Sequence, residues 1–174
     1  MKLTLKFLKR DLRRGSQLAV PSPNIGGSLK DIKLVIDDSV LEKYEQYYFS
    51  IHPKAKKKPL DAPHHPSINK WMIMKRPMMN ALKQKWKDFM VWFIKHEGYA
   101  QLNINGCDMV FVSYFKTKIR HDTDNCVPKF MLDGLVDSGF IIDDDSKHLK
   151  ILTLQCEYDK EHPRTEIYVK NIEI

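Results

Sequence analysis

The stretch Asp108-Met-Val-Phe-Val-Ser-Tyr-Phe115 decides the fold class. Its β-branched and aromatic residues are of strand length and apolar on both faces, the pattern of a strand covered on two sides and so central in a sheet. Upstream, Ile32-Lys-Leu-Val-Ile36 reads as a first core strand, β-branched and bounded by charge. Downstream, Leu149 to Tyr158 and Thr165 to Ile172 read as two more strands. The first carries Leu152, Leu154, Cys156 and Tyr158 on one face, and the second carries Ile167 and Val169 on one face. Only the polar connection Asp159-Lys-Glu-His-Pro-Arg164 separates them, which predicts a C-terminal antiparallel hairpin.

Two helices stand out. From Pro77 to Glu97 the residues Met78, Leu82, Trp86, Phe89, Met90, Phe93 and Ile94 recur at spacings of three and four, while Lys83, Lys87 and Lys95 fall at other angles. Pro77 suits a first turn and Gly98 the position just past the end. The second helix runs from Val127 to Asp137 and ends at Gly139, with Pro128 in its first turn and Asp124 or Asn125 able to cap it. The expected architecture is one α/β (α+β) domain, with a small mixed sheet, two main helices and the C-terminal hairpin. It spans 31–174. Residues 1–30 read as an appendage of unknown role, with an alternating segment from Lys2 to Leu8, a basic patch (Lys9, Arg10, Arg13, Arg14) and a Pro/Gly-rich connection.

The length, 174 residues, suits a single domain, and 43% hydrophobic content suffices for a packed core. Lys plus Arg number 29 against 22 Asp plus Glu, a formal charge of +7 that favours an anionic partner, nucleic acid first. The basic residues gather at the N-terminus, at Lys54, Lys56, Lys57 and Lys58, and at Lys116, Lys118 and Arg120. The lysine group opens a Pro-punctuated loop from Pro53 to Asn69, expected to be exposed and to grip phosphates. Cys107, Cys126 and Cys156 are odd in number and widely spaced, without zinc or disulfide-framework spacing. No stretch approaches a membrane span and charges interrupt the N-terminal apolar residues, so the expected setting is a reducing cytoplasm without membrane association.

The chemistry concentrates in His121-Asp-Thr-Asp-Asn125 and Asp143-Asp-Asp-Ser146. In an extended segment Asp122 and Asp124 share a face, with Cβ atoms about 7 Å apart, and converge on one cation. Asp143, Asp144 or Asp145 joins them if the connection after the second helix returns to the same sheet edge. Oxygen-only ligands select a hard cation such as Mg²⁺, and the adjacent basic strip with Lys129 supplies the remaining parts for phosphodiester hydrolysis. Each motif also has a purely structural reading. The first can be a helix N-cap and the second a surface turn, Lys129 can pair with Asp133 four residues on, and His121 can make a local hydrogen bond. His64 and His65 lack metal-ligand spacing and receive no role.

Read as one unit from Asp122 to Ser146, the segment resembles the signature of the RusA family of Holliday junction resolvases: DxDN, a lysine, a helix with D-x-L, a glycine and an acidic pair. Pro66-Ser-Ile-Asn69 is similar to that family's early Pro-Ser-x-Asn loop, and the resemblance covers roughly residues 31–174. It implies a RusA-like fold and a Mg²⁺-dependent endodeoxyribonuclease, with Mn²⁺ substituting, that acts as a homodimer on four-way DNA junctions in recombination and repair and is phage or prophage encoded. By position it implies Asp122, Asp124 and Asp144 as metal ligands and Lys129 as the basic residue near the scissile phosphate. Two departures stand: the Asn125–Lys129 gap is one residue longer than the simplest family pattern, and the triple Asp143-Asp144-Asp145 leaves Asp143 and Asp145 as alternative third ligands. The competing functional reading is a non-catalytic binder of branched or duplex DNA. A metal requirement for turnover separates the two.

Overall fold

The computed structural model describes residues 31–174. The expected strand from Lys2 to Leu8 and the basic patch after it lie outside the described residues. The chain runs β1 (Ile32–Asp37), α1 (Asp38–Ile51), a one-turn helix α2 (Ile68–Trp71), α3 (Arg76–His96), β2 (Gly106–Phe115), a 3-10 turn (Thr123–Cys126), α4 (Lys129–Asp137), β3 (Leu149–Tyr158) and β4 (Arg164–Glu173). It is a mixed α+β fold on one four-stranded sheet of order β1-β4-β2-β3.

β2 takes the interior position that its two-sided apolar run demands. It pairs parallel with β3 and antiparallel with β4. The expected C-terminal hairpin is therefore not formed: β3 and β4 are separated by the width of β2. The linker between Tyr158 and Arg164 crosses the end of β2, where Asp159 donates its backbone N–H to the Phe115 carbonyl at 2.9 Å. Crossing two strand spacings takes about 10 Å, within reach of so short a segment, so a short polar linker fits either topology. What selects the insertion is β2 itself, whose two apolar faces and two rows of backbone polar groups require a neighbour on each side.

β4 is the second interior strand, with β1 on its other side. Ile167 and Val169 are fully buried, as their alternation predicts. β3 is an edge strand, and of its apolar residues only Leu149 is buried; Leu152 and Tyr158 are exposed and Leu154 and Cys156 half-buried. The helices cover the face that carries Leu34, Ile36, Met109, Phe111 and Ile167, closing the core with Phe89, Met90, Phe93, Ile94, Met131 and Leu135. Burying each such side chain contributes about 1.5–3 kcal/mol.

α3 and α4 match the two expected helices to within two residues at the ends. Trp86, Phe89, Met90, Phe93 and Ile94 line the core, while Met78, in the first turn, is exposed. Both helices end on a glycine in the left-handed conformation, Gly98 at φ +82° and Gly139 at φ +68°. In each, the next residue bonds back five positions, Tyr99 N to Ile94 O and Phe140 N to Leu135 O, both 3.0 Å. The two helices pack tightly at Gly134, where an added Cβ would fall 2.5 Å from Met90 Cβ. Lys83–Asp133 and Lys87–Asp137 ion pairs, each 2.7 Å, tie them together.

α1 is a helix that the sequence reading leaves unassigned. Its signals are an Asp37 N-cap, whose carboxylate accepts from Val40 N at 3.0 Å, and Val40, Tyr44 and Tyr48 at i, i+4 spacing. Only Val40 and Tyr44 are buried, so the apolar stripe is narrow and carried mostly by tyrosine.

Candidate metal centre and nucleic-acid surface

The two acidic motifs flank α4. Asp122 is extended at φ −77°, ψ 124°, but Asp124 lies inside the 3-10 turn, closed by Asn125 N donating to Asp122 O at 3.0 Å. The extended i, i+2 geometry expected for this pair is thus replaced by a turn. The N-cap reading of the motif holds by position alone: Asp122 stands at the N-cap of the 3-10 turn without a side-chain bond, and Pro128, not Asp124 or Asn125, stands at the N-cap of α4. Among the described residues the exposed Asp122 carboxylate pairs with Arg120 Nε, at 3.8 Å, and both side chains are largely in water, so that pair is weak.

The acidic triple divides its labour. Asp143 Oδ1 accepts from Asp144 N at 2.7 Å, a local turn bond. Asp145 Oδ1 accepts from Lys147 N at 3.0 Å and His148 N at 3.1 Å and pairs with His148 Nδ1 at 2.7 Å. The His148 contact lowers the Asp145 carboxyl below its ordinary value. Asp143 and Asp145 therefore follow the surface-turn reading. Asp144 alone points across to α4, where its Oδ2 lies 2.9 Å from Lys129 Nζ.

Lys129 bridges two carboxylates, with Asp133 Oδ1 at 3.1 Å on its other side. Its pKa is raised, first by the Asp144 hydrogen bond and then, against some burial, by Asp133. Burial pushes the Asp133 carboxyl upward, but hydrogen bonds from Lys83 and Lys129 outweigh that and leave it lowered. The result is a charge chain, Lys83–Asp133–Lys129–Asp144, that fixes Lys129 at the first turn of α4.

The three expected ligands are not gathered into one cluster. Among the described residues no group of three or more His, Cys, Asp or Glu side chains stands at metal-holding distances. Topology accounts for this: β2 and β3 are parallel, so β2 exits toward Asp122 at one end of the sheet and β3 begins after Asp145 at the other. α4 runs between the two motifs, and Lys129 in its first turn pairs with Asp144 of the second. In comparisons with known proteins, the chain matches no protein-family model and no curated protein.

The loop from Pro53 to Asn69 is half exposed and half anchored. Lys54, Lys56, Lys57 and Lys58 are all exposed, and Lys58 pairs with Glu45 at 2.9 Å. Beyond them Leu60 is buried, and the Pro63 carbonyl accepts from Thr165 Oγ1 at 2.7 Å. Lys116, Lys118 and Arg120 form an exposed strip after β2, with the Lys118 ammonium 5.0 Å from the centre of the Tyr158 ring.

The histidines are the residues that sequence reasoning missed. His65 Nε2 accepts the Phe130 backbone N–H at 3.0 Å, satisfying a free donor in the first turn of α4. Burial holds its pKa down to about 4, which keeps that nitrogen an acceptor. His64 contacts Thr165 Oγ1 at 3.3 Å, and burial likewise lowers it to about 4. His64 and His121 both pack on Phe115, with centroids at 4.6 Å and 3.7 Å, so His121 stacks where a local hydrogen bond was expected. The one available signal was the His64-His65 doublet in a Pro-rich loop, which names no partner. No helix among the described residues is long and apolar enough to cross a membrane.

Proposed function

We propose that this protein is a Mg²⁺-dependent endodeoxyribonuclease that acts as a cytoplasmic homodimer and resolves four-way or related branched DNA, as its resemblance to the RusA resolvases implies. The observation that carries the reading is the Lys129–Asp144 contact, which joins the lysine and the distant acidic motif of that resemblance at one turn of α4. The donor chemistry fits a hard cation. Asp122 makes no side-chain cap on its turn, and Asp122, Asp124 and Asp144 offer only oxygen.

Asp122 and Asp124 would hold the metal, and Asp144 would join them as a third carboxylate only by leaving Lys129, its partner in this structure. A Mg²⁺ held there would supply a more acidic water and offset charge on the phosphate. Lys129 keeps a full positive charge, held by Asp133 and Asp144, and stabilises the phosphate oxygens as charge builds during in-line displacement. Lys116, Lys118, Arg120 and the lysines at 54, 56, 57 and 58 hold the DNA backbone on either side. A two-fold dimer supplies two such sites for paired cuts.

The test is cleavage of a synthetic four-way junction with Mg²⁺ or Mn²⁺. Loss of cleavage in Asp122→Asn and Asp124→Asn, with junction binding retained, supports the reading; variants that cut as fast as the parent remove it. One observation favours the non-catalytic alternative: the Asp144 carboxylate is turned to Lys129 and does not form a cluster with Asp122 and Asp124. Tight junction binding with no metal-dependent turnover would select that alternative.

A further inference from the structure

Cys126 and Cys156 are 30 residues apart in sequence, yet their Sγ atoms lie 3.1 Å apart. Both are partly exposed free thiols, whereas Cys107, the third cysteine, is buried in the core. Cys126 closes the 3-10 turn that carries Asp124, and its S–H points to the Asp122 carbonyl at 3.7 Å. Cys156 sits on the edge strand β3, held in register by its parallel pairing with Ser113. We propose that this pair is a reversible thiol-oxidation site at which peroxide forms an intramolecular disulfide, pinning the Asp122–Asp124 turn to β3.

The sulfurs need to close by only about 1 Å to reach a disulfide bond length. Burial and the neighbouring sulfur push the Cys126 thiol up to about 12, so the Cys156 sulfur attacks a peroxide oxygen as its thiolate. The O–O bond breaks, the departing hydroxide takes up the displaced thiol proton as water, and a sulfenic acid results. The second sulfur displaces the sulfenic hydroxyl, which leaves with the remaining thiol proton as a second water. Two thiols are thereby oxidised to one disulfide and one hydrogen peroxide is reduced to two waters. Attack by a small-molecule thiol reverses the step through a mixed disulfide. Oxidation also removes the S–H donor from the Asp122 carbonyl, so the turn changes its internal bonding as well as its tether.

The full chain is treated with hydrogen peroxide under native conditions, its free thiols are blocked, and it is digested with trypsin. The expected product links the peptides 121–129 and 151–160, each of which holds one of these cysteines. Its mass falls by two hydrogens, Cys107 remains blocked as a thiol, and dithiothreitol restores the separate peptides. The crosslinked protein is expected to melt roughly 5 °C or more above the reduced form, because the bridge closes a long loop in the unfolded chain. No linked peptide, or a link through Cys107 or between two chains, overturns the proposal. Peptide mapping does not depend on the nuclease reading. The effect on cleavage does rest on it, and there the expectation is at least a tenfold fall on oxidation, reversed by dithiothreitol and absent in Cys156→Ser. Equal cleavage by oxidised and reduced protein would overturn the coupling of this site to the turn.

Discussion

Lys129 and Asp144 are 15 residues apart in sequence and 2.9 Å apart in the fold. Their contact links the first turn of α4 to the loop that leads into β3. Asp133 holds the lysine from the other side, so its ammonium is fixed between two carboxylates.

Replacing Lys129 with Met is expected to lower junction cleavage about 10²-fold, the scale of losing one charge-stabilising donor at a developing anion. Folding stability should change by less than about 1 kcal/mol, because the side chain is nearly half exposed and Asp133 keeps Lys83. Single-turnover cleavage and urea unfolding of the same variant separate the two effects. A large stability loss with unchanged cleavage would mark the lysine as structural.

Asp144→Asn and Asp145→Asn should differ in kind. Asp144 makes no turn bond with its side chain and should lose cleavage with little change in melting temperature. Asp145 holds Lys147 N, His148 N and the His148 ring, so its variant should melt lower and retain cleavage. Thermal melts and cleavage rates at matched protein concentration check the pair.

Gly134→Ala should destabilise the fold by about 1–2 kcal/mol, the overpacking cost less the gain in helix propensity. The new methyl would sit 2.5 Å from Met90 Cβ and 3.2 Å from the Lys87 backbone, between two packed helices. Denaturant unfolding measures the change.

Stability should fall with acid well before the carboxylates titrate. His64 and His65 have folded pKa values of about 4 against 6.5 unperturbed, so the unfolded chain binds their protons first. Unfolding thus takes up protons, and stability rises with pH through this window: full above about pH 6.5, falling as pH drops toward about 4. Asp38 raises His64 and Asp133 raises His65, while His121 lowers His64, all against the larger effect of burial. The two histidines together should cost roughly 3–4 kcal/mol between about pH 7 and about pH 5. Urea titrations at the two pH values check this, and His65→Gln should flatten the slope by about half.

Replacing Lys54, Lys56 and Lys57 with Ala should weaken junction binding and reduce the salt dependence of affinity by up to about three counterions. Adding Lys58→Ala should deepen both effects by less than each of the others, since that lysine also pairs with Glu45. Binding isotherms at several salt concentrations, without divalent metal, measure both.

The order of elements was legible from local pattern. Two-sided apolarity marked Asp108 to Phe115 as an interior strand, and the three-four spacing from Pro77 marked α3. Gly98 and Gly139 marked two helix ends because the left-handed conformation suits glycine. α1 escaped because its buried stripe is narrow and largely tyrosine. The acidic motifs were legible as residues, but the division of Asp143, Asp144 and Asp145 into two turn formers and one partner for Lys129 was not. That division depends on which carboxylate faces α4, and no spacing along the chain encodes it.

Residue order by itself determined the four strands and the helices α3 and α4, since side-chain period and backbone preference act over a few neighbours. Only tertiary structure decided that β2 inserts between β3 and β4, that His65 caps α4 from the distant lysine loop, and that Lys129 meets Asp144. A short linker can close a hairpin or step over a strand equally well, and a side chain's partner across space is chosen by burial and charge in the assembled core. Pairings between distant segments are set by that competition and not by any local code.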